Sequence, residues 1–396
     1  MFRKIVLLLV CLCAVAYAAD KPKYLFVWAG DDAKKSQDFL AVVDADPQSQ
    51  TYGQTLATVS VPGPTGTPHH TELVMSKTGH LLANQHESGQ TIVFDVHDPL
   101  HPKLLYSYGD LAGYAHPHTY IRDEKQNILA TFQYHGMPHM AGHHMPADPG
   151  GLVRFTEAGK VLGSGGAADP TAKDELIRPY SVVELPKLDR AVSTNTSMHF
   201  DDEGTSRTIQ IWRLHDLKLL QTIALPAPAT GKSNELPGEP VIAADGKSVL
   251  IHTFTCGLYE VKDIDTKPAV RALRTFDDDF CGVPVRIGHY WVATLTDKHA
   301  VAVYDLSAPD VKEVSRVTLD DKQQPHWLSP DPTGRRLVFN SGARGEHRIF
   351  MFDFDPETGA LKIDENFRDA GSDRAGVSMD GKKWGDAFPH GVVFSR

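Results

Sequence analysis

Proline leads directly into histidine at Pro68-His69-His70, Pro117-His118, Pro325-His326 and Pro389-His390, as well as at Pro138-His139 in a His- and Met-rich segment. Neutral imidazole is the commonest protein ligand for a transition metal, and several imidazoles on separate rigid elements make a preorganised site. Imidazole suits copper, zinc, iron or nickel, and the intrinsic order among divalent ions favours copper. A single such histidine would be read as one bonded to water and loop carbonyls. Their recurrence in one register favours a metal centre, so His69, His70, His118, His326 and His390 are the candidate ligands.

Tyr180 and Glu239 follow other prolines at or beside the same register, after Pro179 and in Pro237-Gly238-Glu239. Glu239 is a candidate base or ligand, though a residue so placed more often orients its neighbours. The segment Tyr134–Met145 gathers His135, His139, His143 and His144 with Met137, Met140 and Met145. Imidazole with thioether suits Cu(I), and a metal-loading loop using these groups and His86 stands beside a chance enrichment of a polar loop. Cys256 and Cys281 are expected to form a disulfide, with a reactive or metal-bound thiolate as the alternative. His80, His97, His101, His252, His289 and His299 fall in strands or on outer turns and are read as structural or solvated.

What positions such residues is a repeat. Apolar runs end in aspartate and a turn at Val42–Pro47, Phe94–Pro99, Tyr304–Pro309 and Phe352–Pro356, and Thr-Gly or Asp-Gly turns precede most of them. The unit reads as strand, tight turn, strand, loop, strand, Asp-Pro turn, strand. The Pro-His copies at 68, 117, 325 and 389 each lead a short β-like run: Glu72–Met75, Thr119–Ile121, Trp327–Ser329 and Val392–Phe394. Inner strands beginning near positions 70, 118, 180, 239, 284, 326 and 390 lie at intervals close to the ~40–50 residues of a propeller blade. The last has nothing after it, whereas Tyr24–Trp28, Phe39–Asp44 and Gln54–Val61 have no inner strand before them. The predicted fold is therefore all-β, a seven-bladed β-propeller closed by pairing the C-terminal strand with the N-terminal strands in one blade. Second-strand ends, including Gln85-His86, Tyr134-His135, Asn195, Thr296 and Asn340-Ser341, should meet the Pro-His positions at one channel mouth.

Residues 1–18 carry Arg3 and Lys4, an apolar stretch and the small-residue site Ala16-Tyr17-Ala18, which predicts a cleaved signal peptide and a periplasmic or secreted single domain over 19–396. No other stretch approaches the ~18 apolar residues of a membrane span. Loss of those two positive charges moves the formal charge from −10 to −12, a balance unsuited to nucleic acid or anionic lipid. No Gly-rich phosphate loop and no Gly-x-Ser-x-Gly elbow is present.

The stretch from Lys23 to Gln54, PHHTEL from Pro68, IVFDVHDPLHPKLL from Ile92, PHWLSPDPTGRRLVFNS from Pro325 and the terminal PHGVVF together resemble the selenium-binding protein family, which includes methanethiol oxidases. The resemblance implies a seven-bladed propeller with a copper centre that oxidises methanethiol with dioxygen to formaldehyde, hydrogen sulfide and hydrogen peroxide. It places the family's histidines on His69-His70, His118 and His390, while His326 stands where eukaryotic relatives carry glutamine. Thr71–Ser76 lacks the cysteine that relatives place beyond the paired histidines, so selenium attachment is not expected there. The leading expectation is a copper-dependent oxidase of a small thiol, with dioxygen as partner substrate. The alternative is an exported copper- or zinc-binding propeller for metal storage or delivery.

Overall fold

The computed structural model describes residues 22–396 apart from 32, 137–147, 173–174, 229–230, 232, 309, 343–345 and 380–386. The expected signal peptide and His139, Met140, His143 and His144 lie outside the described residues.

Seven antiparallel sheets of four strands follow one another, six of them with the strands in sequential order and one of those carrying an extra short strand. Their inner strands are Pro68–Thr71, Tyr114–Arg122, Pro179–Leu185, Pro237–Ile242, Val285–Ile287, Pro325–Pro330 and Ala387–Phe394. We number the blades one to seven in that order. Blade seven joins the two ends of the chain: Ala387–Phe394 pairs with Tyr24–Asp31, which continues to Phe39–Asp44 and Thr55–Ser60. This is the expected seven-bladed propeller and the expected closure. Among the described residues the only α-helix is Phe200–Glu203, and no helix is long and apolar enough to cross a membrane.

Blades pack face to face, so their middle strands are buried on both sides, whereas the outermost strands meet water. Phe39–Asp44 is buried throughout, while Lys312–Thr318 alternates between exposed and half-buried positions. Leu82 and Val93 of blade one interlock with Tyr120, Ile128 and Phe132 of blade two, one of several such seams. Trp28, Trp212, Trp291 and Trp327 are fully buried. Truncating a side chain in such a seam costs about 2–5 kcal/mol, because the flanking blades cannot collapse into the space.

The first inner strand differs from expectation. It contains the histidines and stops at Thr71, and Glu72–Met75 is not strand. Glu72 explains the early stop: its backbone N–H reaches the Leu82 carbonyl (3.0 Å), and its Oε2 accepts the Leu82 N–H (2.9 Å). The side chain thereby takes a bond that a further strand residue would otherwise make. The other three expected runs lie inside inner strands.

Candidate metal centre

The same backbone irregularity recurs where the histidines sit. Pairing with the second strand breaks register between Pro68 and Thr71, Pro117 and Tyr120, Pro179 and Val182, Pro237 and Pro240, and Pro325 and Trp327. In blade seven the break falls between Gly391 and Pro389, at His390. A bulge turns a side chain away from the alternation of a regular strand, and proline suits the strand start because it has no N–H to offer. The residues released are His69-His70, His118-Thr119, Tyr180-Ser181, Gly238-Glu239, His326 and His390.

Second-strand side chains satisfy the backbone groups that the bulges free. Asn84 Oδ1 accepts the His70 N–H (2.6 Å), while its Nδ2 donates to the carbonyls of Pro117 (2.8 Å) and His118 (3.2 Å) on the next blade. Asn340 repeats the pattern, accepting from Trp327 N–H and donating to the carbonyls of Pro389 and His390. Thr131 Oγ1 accepts from Thr119 N–H and donates to the Tyr180 carbonyl. Each such side chain ties one blade's bulge to its neighbour's. Two glycines permit the close approach: a Cβ on Gly282 would lie 2.2 Å from the His326 carbonyl oxygen, and one on Gly391 would lie 2.6 Å from Thr71 N.

The imidazoles converge. His69 and His70 stack at 4.2 Å between centroids, His118 is 4.2 Å from His70, and His390 is 4.2 Å from His69. One ligand nitrogen from each of His69, His70 and His118 lies within 4.8 Å of the others. His326 stands beside His390, with ring centroids 5.0 Å apart. Trp327 covers His70 at 4.7 Å and Tyr180 lies 3.8 Å from His118.

Burial, reinforced by neighbouring imidazoles, holds His69, His70 and His390 well below the usual imidazole range. Burial pushes His118 down to about 3 and His326 to about 4. All are therefore neutral at physiological pH, the form that ligates metal. The His118 Nδ1–H donates to the Tyr180 carbonyl at 2.8 Å, which leaves the lone pair on Nε2. His69 Nδ1, His70 Nε2, His118 Nε2 and His390 Nδ1 are buried without a hydrogen-bond partner. Buried nitrogens are rarely left so, and several aimed into one cluster fit a cation that would engage their lone pairs.

Glu239 stands 3.8 Å from His70 Nδ1, beyond hydrogen-bond reach, while Ser181 Oγ donates to its other oxygen. Burial pushes its carboxyl up to about 7, against the opposing hydrogen bonds of Ser181 and Thr119. A proton can therefore sit on this carboxyl or leave it near neutrality. Outside the cluster opens a cavity of about 540 Å³. His69, His326 and His390 form its polar floor, and Met198, Leu236 and Phe280 are among its apolar walls.

The secondary candidates separate. His86 lies 5.5 Å from His69 and 5.3 Å from His199, and burial pushes it down to about 3. His135 is exposed against Tyr114, at the end of blade two's second strand. Cys256 and Cys281 form a disulfide between blades four and five. Sequence reasoning named Asn340 among the rim residues but missed the bridging of Asn84 and Asn340. It also missed the apolar cavity, whose walls come from loops without periodicity. An Asn recurring 14 residues after His70 and after His326 was the available signal.

A β-propeller with a histidine cluster at one channel mouth is thus the class that fold and site define. No protein-family model matches the chain. It is 33% identical to a methanethiol oxidase of Hyphomicrobium sp., over 91% of this chain and 87% of that protein. Among solved structures, a hypothetical selenium-binding protein of Sulfolobus tokodaii superposes with a TM-score of 0.73 at 16% identity, covering 96% of this chain and 94% of the other. A periplasmic gluconolactonase of Pseudomonas aeruginosa gives 0.64 at 13% identity, covering 94% and 99%. Both structures share the fold, and at these identities show nothing further. The chain belongs to the selenium-binding protein family that includes methanethiol oxidases.

Proposed function

We propose that this protein is an exported, copper-dependent oxidase of a small thiol, converting methanethiol, dioxygen and water to formaldehyde, hydrogen sulfide and hydrogen peroxide. The family supports an oxidase-like role, and the observation that carries the metal is the set of orphaned, neutral imidazole nitrogens on His69, His70, His118 and His390. These residues would hold copper, with His326 as a further ligand from the cavity side. When bound, copper supplies the redox chemistry and the affinity for sulfur that these side chains lack.

The chain's own residues do the rest. The apolar walls of the cavity receive a methyl group and exclude water, which strengthens electrostatic interactions at its histidine floor. Glu239 Oε1 holds or releases a proton beside His70, a role for which a carboxyl poised near neutrality is suited. The Tyr180 carbonyl keeps His118 in the tautomer whose Nε2 is available. The signal-peptide reading of residues 1–18 and the Cys256–Cys281 disulfide both support export of a single propeller domain.

The test is metal analysis of protein purified from an exporting host, joined to thiol-dependent oxygen uptake. Stoichiometric copper with methanethiol consumption and hydrogen peroxide release is expected. Copper-loaded protein that does neither overturns the oxidase and leaves metal storage or delivery.

A further inference from the structure

We propose that His80, Asp95 and His97 form a second metal site, for a zinc-type divalent cation, at the end of blade one opposite the histidine channel mouth. The inner strand runs from Pro68 away from that mouth, and the second strand, His80–Gln85, returns so that Gln85 pairs with Pro68. His80 therefore begins its strand at the far end, paired with Asp95, and His97 follows in the turn beyond. One ligand atom from each of the three lies within 4.8 Å of the others. Two imidazoles and a carboxylate at such spacing match the donors of protein zinc sites, with water completing the shell.

His80 is already oriented as a metal-bound histidine is, and His97 Nδ1 and Asp95 Oδ1 lie at the separation of two ligands on one cation. His80 Nδ1 bonds Glu157 Oε2 at 2.7 Å, and His97 Nδ1 bonds Asp95 Oδ1 at 2.9 Å. His80, donating from Nδ1 to the Glu157 carboxylate, presents the lone pair of Nε2, the arrangement that outer carboxylates impose on ligating histidines. Asp95 Oδ1 also accepts the His97 N–H (3.0 Å), and a bound cation would take the place of the proton that His97 Nδ1 and Asp95 Oδ1 share. Glu157 belongs to blade two and is anchored by Arg122, which also binds Glu72. Gly79 makes room for the third ligand, since a Cβ there would lie 2.5 Å from the His97 ring.

Other blades supply an internal contrast. A strand-end aspartate usually caps its own turn: Asp305 Oδ1 accepts the Ser307 N–H, with His289 nearby at 3.9 Å. Blade five thus has the aspartate and one histidine, but serine where blade one has His97. His101 pairs with Asp98, and His215 bonds Asp189 with Asp216 4.0 Å from its other ring nitrogen, so neither brings three ligand atoms together. Outside the buried cluster, only His80, Asp95 and His97 gather three such ligand atoms among the described residues.

Calorimetric titration of the full protein with Zn2+ alone, beside the His97→Ala variant, tests this. His97 is largely exposed, so its loss leaves the fold intact, and circular dichroism checks that. Zinc taken up by the channel histidines is common to both proteins and cancels in the comparison. Wild type is expected to bind one more equivalent than His97→Ala, and Glu157→Gln to bind that equivalent about tenfold more weakly. Equal stoichiometry and affinity in wild type and His97→Ala would overturn the site. That result would leave the copper oxidase reading untouched, since none of these residues belongs to the channel cluster.

Discussion

The channel mouth is divided. Blades one, two, six and seven present His69-His70, His118, His326 and His390 at their inner-strand bulges, whereas blades three and four present Tyr180-Ser181 and Gly238-Glu239 at the same places. Blade five has no bulge of this kind; Val283 instead makes a parallel bridge to Trp327, with its N–H on the His326 carbonyl (2.6 Å). Six repeats of one backbone device have thus diverged into a half that presents imidazoles and a supporting half. The supporting half holds the Cys256–Cys281 disulfide, the carboxyl of Glu239 and the buried imidazole of His252. Equivalent backbone positions do not imply equivalent chemistry, because the bulge delivers whatever side chain the sequence has placed there.

The largest effect should come from exchanging one proposed ligand for alanine. His70→Ala or His118→Ala is expected to lower copper content and thiol-dependent oxygen uptake by about 100-fold or more, beyond the losses typical of outer partners. Tyr180→Phe keeps the carbonyl that His118 uses and should change either value only slightly. Metal analysis of the three variants side by side decides whether the two halves differ as described. A Tyr180→Phe loss equal to that of His70→Ala would erase the distinction.

Next come the residues that hold the bulges. Asn84→Ala and Asn340→Ala each leave a bulge N–H and the neighbouring blade's carbonyls without partners in a buried setting. The expected result is a loss of about 10–100-fold in metal affinity, measured by competition with a chelator, together with a lowered Tm. The disulfide should behave in the opposite sense. Cys256→Ser with Cys281→Ser is expected to cost about 3 kcal/mol in denaturant unfolding while copper content stays at the wild-type level. A clip between blades four and five touches no proposed ligand.

Much of this division was legible in the chain. Pro-His in four inner strands, Asp-terminated third strands and the unmatched strands at each end led to seven blades, their closure and the imidazole cluster, because a repeat multiplies each weak local signal. What stayed hidden depends on pairing across blades. The strand that ends at Thr71 was expected to run through Met75, since nothing local shows Glu72 bonding Leu82. His80 and His97 read as ordinary turn residues because their meeting requires the register that sets His80 opposite Asp95. The apolar cavity was equally hidden, being built by loops such as that of Phe280.

The smallest expected effect concerns the one buried histidine of the supporting half. His252 lies beneath Gly238, where a Cβ would come within 2.1 Å of its ring, so the ring fills space that a side chain occupies in other blades. Burial pushes it down to about 4, its Nε2 is without a partner, and its Nδ1 is 3.4 Å from the Glu239 carbonyl. Between pH 6.5 and about 4 the unfolded chain binds a proton here that the folded chain does not, so stability falls as pH drops through that window. The loss is about 1.4 kcal/mol per pH unit, or about 2 kcal/mol by pH 5. His252→Asn removes the titrating group and should flatten the acid limb by one proton, read from denaturant midpoints between pH 7 and 5. An unchanged slope would show that His252 takes up its proton as readily in the folded protein as in the unfolded chain, against the neutrality that burial demands.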